Sequence, residues 1–122
     1  MTFSQSIKTV FHKYLDFNGR ASVSEYWWFA LFEIVVYGAL NILGAIFGGS
    51  SMPGWVYFIE GAFWLATVLP AISVSVRRMH DIGKGGGWIF ISLVPIVGQI
   101  WFFILTVLPS QPQPNRFGPI PE

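Results

Sequence analysis

Residues 26–48, YWWFALFEIVVYGALNILGAIFG, decide how this chain reads. A bilayer core of about 30 Å is crossed by roughly 20 apolar residues rising 1.5 Å each. The stretch has that length and is interrupted only by Glu33 and Asn41. It opens on Tyr26, Trp27 and Trp28, types that settle at the headgroup level. Two more runs share this character. Residues 55–76 begin with Trp55 and Tyr57 and contain Glu60 and Pro70, while residues 88–108 begin with Trp88 and carry no charge. None shows the period-2 alternation of a barrel strand.

Composition agrees. Apolar types make up 53% of the 122 residues, aromatics 18% and charged types 11%. A soluble domain carries about 25% charged residues, so a soluble monomer is not expected. The aromatic content excludes disorder. The absence of cysteine excludes a disulfide scaffold, a thiolate metal site and a cysteine nucleophile. A net charge of +1 gives no basis for bulk nucleic-acid binding. The expectation is an all-α membrane protein, a single domain over residues 1–122.

Upstream of this stretch, Asn18-Gly19 is a turn signal. Ser22 and Glu25 then fit a capping box, so the first membrane helix is expected over 23–48. Before it, Phe3, Ile7, Val10, Phe11, Tyr14 and Leu15 share one helical face, with Lys8, His12 and Lys13 opposite. Residues 1–17 are therefore read as an amphipathic helix lying in the membrane surface; packing of that stripe on another protein element is the competing reading. No secretory signal is recognised there. Residues 48–54 form an uncharged turn, residues 81–87 a Gly-rich loop, and the tail 109–122 is broken by Pro112, Pro114, Pro119 and Pro121.

Three transmembrane helices, 23–48, 55–76 and 88–108, place the N-terminus and the 77–87 loop on one side. That side holds Lys8, Lys13, Arg20, Arg77, Arg78 and Lys84, six of the seven basic residues. The positive-inside rule makes it cytoplasmic and the C-terminus periplasmic. Pro95 and Gly98 leave room for a kink or a re-entrant turn in the third segment, which would return Arg116 to the cytoplasm.

Glu33, Asn41 and Glu60 are the intramembrane polar residues. Glu33 and Glu60 differ in depth by roughly 15 Å, too far for a carboxylate pair. Asn41 and Glu60 fall at similar depths and can bond. Each Glu is either a functional group or packing glue. The small-xxx-small pairs Gly44/Gly48 and Ala62/Ala66 suggest a homodimer.

The most informative cluster is Arg77-Arg78-Met79-His80-Asp81. Three readings compete: orientation of the chain, an anionic lipid headgroup site with Arg77, Arg78, His80 and Lys84, and a polar network pairing Glu25 with Arg78 and Asp81 with Arg20. His80 and Asp81 lack the further ligands a metal needs and a nucleophile for catalysis. Residues 83–87 lack phosphate-loop spacing. No cofactor is implied.

Residues 17–22 with Glu25-Tyr26-Trp27 resemble the opening motif of a widespread bacterial inner-membrane family, domain of unknown function number eight hundred and five. Residues 77–83, RRMHDIG, resemble its Arg-Arg-Leu-His-Asp-Thr-Gly motif; Met79 and Ile82 depart conservatively. Residues 93–98, LVPIVG, and 115–119, NRFGP, resemble its third and fourth. The resemblance implies a small helical inner-membrane protein and no established activity. It draws weight to Gly19, Arg20, Glu25, Arg78, His80, Asp81, Gly83, Asn115 and Arg116. A tail motif as polar as Asn115-Arg116 is expected to dock on the others, which conflicts with three spans.

The function expected is non-enzymatic: lipid or protein contacts at a cytoplasmic charged cap formed by Arg20, Glu25, Arg77, Arg78, His80, Asp81 and Lys84. The alternative is a small oligomeric transporter or channel using Glu33 or Glu60. An enzyme acting on lipid through His80 and Asp81 has the least support.

Overall fold

The structure is a computed structural model that describes residues 1–121; Glu122, the last residue of the expected tail, lies outside them. The chain forms α1 (Phe3–His12), α2 (Val23–Phe47), α3 (Gly54–Asp81), a 3-10 helix (Gly86–Leu93) and α4 (Val97–Val107).

Helix α1 starts at a full capping box. The Thr2 hydroxyl accepts from Gln5 N, and the Gln5 side chain accepts from Thr2 N. Its apolar stripe lies on α2 rather than wholly on the membrane surface. Val10 is fully buried with Ala21, Phe29 and Val74, Phe11 meets Phe29 edge-on at 5.9 Å, and the Ser6 hydroxyl donates to Glu25 O at 2.6 Å.

Helices α2 and α3 are long and apolar enough to span a membrane. Only 11% and 22% of their most apolar windows are buried inside the molecule. A soluble core helix would bury most of that surface; exposed apolar flanks of this length fit a lipid surrounding. Pro70 lies inside α3 and lacks the N–H that would serve Ala66 O. The Tyr14 hydroxyl takes that carbonyl at 2.7 Å, tying the end of the N-terminal segment to the middle of α3. At Gly44 an added Cβ would strike Met52 and Val56 of the same chain. A Cβ at Gly48 would likewise strike Ser51 O and Pro53, so the whole Gly44/Gly48 pair is used internally.

The single helix expected over 88–108 is not what forms. The 3-10 helix spans eight residues at about 2.0 Å rise and α4 spans eleven at about 1.5 Å, so each covers roughly half of a 30 Å core. They pack on each other. The reversal falls at Pro95-Ile96, where Val97 N donates to Pro95 O at 2.7 Å and Ile96 adopts φ 64°, ψ −69°. That is a three-residue γ-turn with positive φ at a β-branched residue, a strained geometry. Gly98 permits the tight return, since a Cβ there would strike the Ile91 carbonyl. The segment is a hairpin, and its exit lies beside its entry.

The largest fully buried side chains of the described residues include Arg77, Arg78, Met79 and Glu25, while Phe58, Phe47, Leu65 and Ile34 are exposed. The apolar surface points outward and the charged groups inward.

Candidate functional site

Three segments converge at one end of the helices. The first is 19–25. Gly19 turns with φ 85°, Ser22 caps α2 by accepting from Glu25 N at 3.1 Å, and Ala21 N donates to Arg77 O. The Glu25 carboxylate does not close the expected capping box. It leaves for Arg77.

The second segment is the end of α3. Gly83 with φ 82° ends the helix in a Schellman motif, with Lys84 N to Met79 O and Gly83 N to His80 O. Arg78, in the last turn, complements the negative helix end. Asp81 does the opposite: a carboxylate at a helix C-terminus is unfavourable unless cations hold it.

The cations do hold it. Arg20 Nε donates to Asp81 Oδ1 at 3.0 Å and Arg78 Nη1 to Oδ2 at 2.6 Å, with neither side chain of either pair exposed. The Ser110 hydroxyl donates to Oδ2 as well. Glu25 pairs with Arg77. The expected Asp81–Arg20 pair is present, whereas the partner of Glu25 is Arg77 and not Arg78.

The third segment is the tail, which supplies main-chain carbonyls. Arg20 donates to Gln113 O at 3.0 Å and Gln111 O at 2.8 Å. Arg78 donates to Thr106 O at 3.0 Å and to Leu108 O. Asn115 Nδ2 donates to His80 O at 2.9 Å. The His80 ring stacks on Phe117 at 3.9 Å and 2°. Its Nδ1 lies 2.9 Å from Gly19 O, an acceptor only, so Nδ1 carries the proton. The tail therefore lies at the same end as the 77–87 loop, against the expectation that places it at the opposite end.

Arg20, Glu25, Arg77, Arg78, His80, Asp81 and Asn115 are brought together. Lys84 is not; its ammonium sits 4.5 Å from the Trp88 ring centre. Arg116 lies on the outer face of Phe117. Glu33 is remote, and Glu60 is bonded by Asn41 Nδ2 at 2.7 Å. The sequence reading missed Ser6 and Ser110, single hydroxyls with no motif around them. It also missed the tail carbonyls, for which no side-chain signal exists.

Among the described residues, three guanidiniums against two carboxylates leave this buried cluster one positive charge in excess. Arg77 is the least satisfied member: among the described residues its Nε and Nη2 have no hydrogen-bond partner. Ser110 gives its proton directly to Asp81, with no imidazole between them, so the serine is not arranged as a nucleophile. Beside the cluster, Met1, Thr9, Lys13, Gly19, Arg20 and Glu25 bound a depression of about 400 Å³.

Lipid-facing apolar helices joined to a buried ionic end define a small helical membrane protein. The chain belongs to the family described as Protein of unknown function (DUF805), which matches residues 14–119. It is 30% identical over 114 residues to the inner membrane protein YhaI of Escherichia coli strain K12, covering 93% of this chain and 92% of that protein. It is also 30% identical over 113 residues to the inner membrane protein YhaH of the same strain, covering 93% of each. No solved structure matches.

Proposed function

We propose that this chain is a non-enzymatic inner-membrane protein whose cytoplasmic end is a preassembled cap for anionic lipid headgroups. The observation that carries this reading is a division of labour among the cations. Arg20, Arg77 and Arg78 are buried and engaged by Asp81, Glu25 and tail carbonyls. They hold the cap shut; of the three only Arg20 borders the depression, and its donors are taken by Asp81 and the tail. Lys8, Lys13, Lys84 and Arg116 stay at the periphery, and Lys13 borders the 400 Å³ depression together with the amino terminus. Juxtamembrane cations of this kind attract anionic lipid by about 1 kcal/mol each.

The cap reading asks for thermal unfolding in detergent with added phosphatidylglycerol or phosphatidylcholine. Phosphatidylglycerol is expected to raise the wild-type Tm more than phosphatidylcholine. Replacing Lys8, Lys13 and Lys84 together with Gln should remove most of that difference. An unchanged difference in the triple variant overturns the reading.

The hairpin supports a revised topology: α2 and α3 span, and the hairpin dips in and returns. All seven basic residues then share one end, and the loop between α2 and α3 has none. The positive-inside rule makes that end cytoplasmic, tail included. Single cysteines at Ser4, Ser51 and Gln113 test this in intact cells. An impermeant maleimide is expected to label only the Ser51→Cys chain; labelling of Gln113→Cys puts the tail outside. The reading needs one chain only. The homodimer is left with Ala62 and Ala66, because Gly44 is occupied by Met52 and Val56.

A further inference from the structure

Glu33 lies ten residues into α2, about 15 Å from its start and near the middle of a 30 Å bilayer core. It borders two cavities. The larger, about 390 Å³, is walled by Trp64, Thr67 and Ile72 of α3, Phe90 of the 3-10 helix and Phe102 of α4. The smaller, about 70 Å³, runs from Glu33 toward Tyr26. Trp64, Phe90 and Leu93 on the larger one are more than half exposed on the lipid-facing surface, so it opens toward the membrane.

The polarity of this cavity is one-sided. Among the described residues, no Lys, Arg or His lines it. Its three hydroxyls have given their protons to main-chain carbonyls: Thr67 to Phe63 O, Ser75 to Ala71 O and Ser92 to Ile89 O. The Glu33 carboxyl is the one charged group on its lining among the described residues, with the Thr67 hydroxyl beside it. Glu60, by contrast, is already served by the Asn41 amide. Trp64, Phe90 and Phe102 are among its walls, and aromatic rings attract cations most strongly in dry surroundings. A carboxyl, spent hydroxyls and aromatic rings together form a site complementary to positive charge on an apolar body.

We propose that this cavity binds a lipophilic organic cation entering from the bilayer, paired with Glu33. The site is separate from the cap and does not depend on the headgroup reading.

Equilibrium dialysis of the purified full chain in detergent against radiolabelled tetraphenylphosphonium tests this. Wild type is expected to bind it saturably above empty micelles. Glu33→Gln should weaken binding at least tenfold, while Glu60→Gln leaves it unchanged. Dodecyltrimethylammonium should displace the probe and dodecanol should not. A cysteine at Leu93, blocked with a bulky maleimide after folding, should also abolish binding, whereas the same label at Ile42→Cys should not; this arm holds even if Glu33→Gln folds poorly. No saturable binding, unchanged binding in folded Glu33→Gln, or equal displacement by the alcohol overturns the proposal.

Discussion

Replacing Asp81 with Ala is expected to cost about 3–5 kcal/mol, the range for stranding a buried charge partner. Asp81 is fully buried and receives Arg20, Arg78 and Ser110 at once. Its removal leaves two guanidiniums facing each other with no anion between them. The tail should come loose too, because the same two arginines hold the carbonyls of Thr106, Leu108, Gln111 and Gln113. Two measurements check this. Unfolding in detergent, followed by tryptophan fluorescence, should shift strongly in Asp81→Ala and less in Asp81→Asn, which keeps the shape and one acceptor. Limited proteolysis between residues 109 and 118 should accelerate in Asp81→Ala. A Tm within a few degrees of wild type with unchanged proteolysis overturns the anchoring role.

The Glu25–Arg77 pair should behave differently when both partners are changed. Glu25→Ala alone leaves Arg77 buried with no counterion, and about 3–5 kcal/mol of destabilisation is expected. Glu25→Leu with Arg77→Met removes both charges. Paired replacement of buried ions by apolar groups is often neutral or stabilising by about 1–4 kcal/mol. Arg77 is a favourable case, since among the described residues two of its nitrogens are already unpartnered and a half-satisfied buried network is costlier than an apolar one. The Ala21 N–H to Arg77 O bond is main chain and survives the change. The double variant should therefore recover most of the loss seen in the single variant. If the two are equally unstable, the pair is not coupled and Glu25 acts through α2 alone.

These experiments turn on details that were unequally legible in the sequence. The two long spans were legible because hydropathy over 20 residues is a local average. The third segment was not. Two half-membrane pieces have the same average hydropathy as one full span, and only Pro95 and Gly98 hinted at a reversal. Whether Glu25 meets Arg77 or Arg78 was also hidden. Adjacent residues on a helix point about 100° apart, and helix rotation is set by packing. The α1 stripe was visible, but a stripe fits a membrane surface and a helix neighbour equally well.

The chain alone therefore determined its solvent and its family. Sparse charge and long apolar runs require lipid, and ordered motifs carry the kinship. Composition also collected most of the basic residues near one end. The tertiary structure decided what those charges do. It folded the last apolar segment back, brought the tail to the arginines and spent Arg20 and Arg78 largely on main-chain carbonyls. Every residue type offers a carbonyl, so no side-chain pattern could mark which ones would be used. It left Glu33 beside an aromatic cavity that no Lys, Arg or His of the described residues lines, a contrast with Glu60 that two isolated acids in apolar runs do not display.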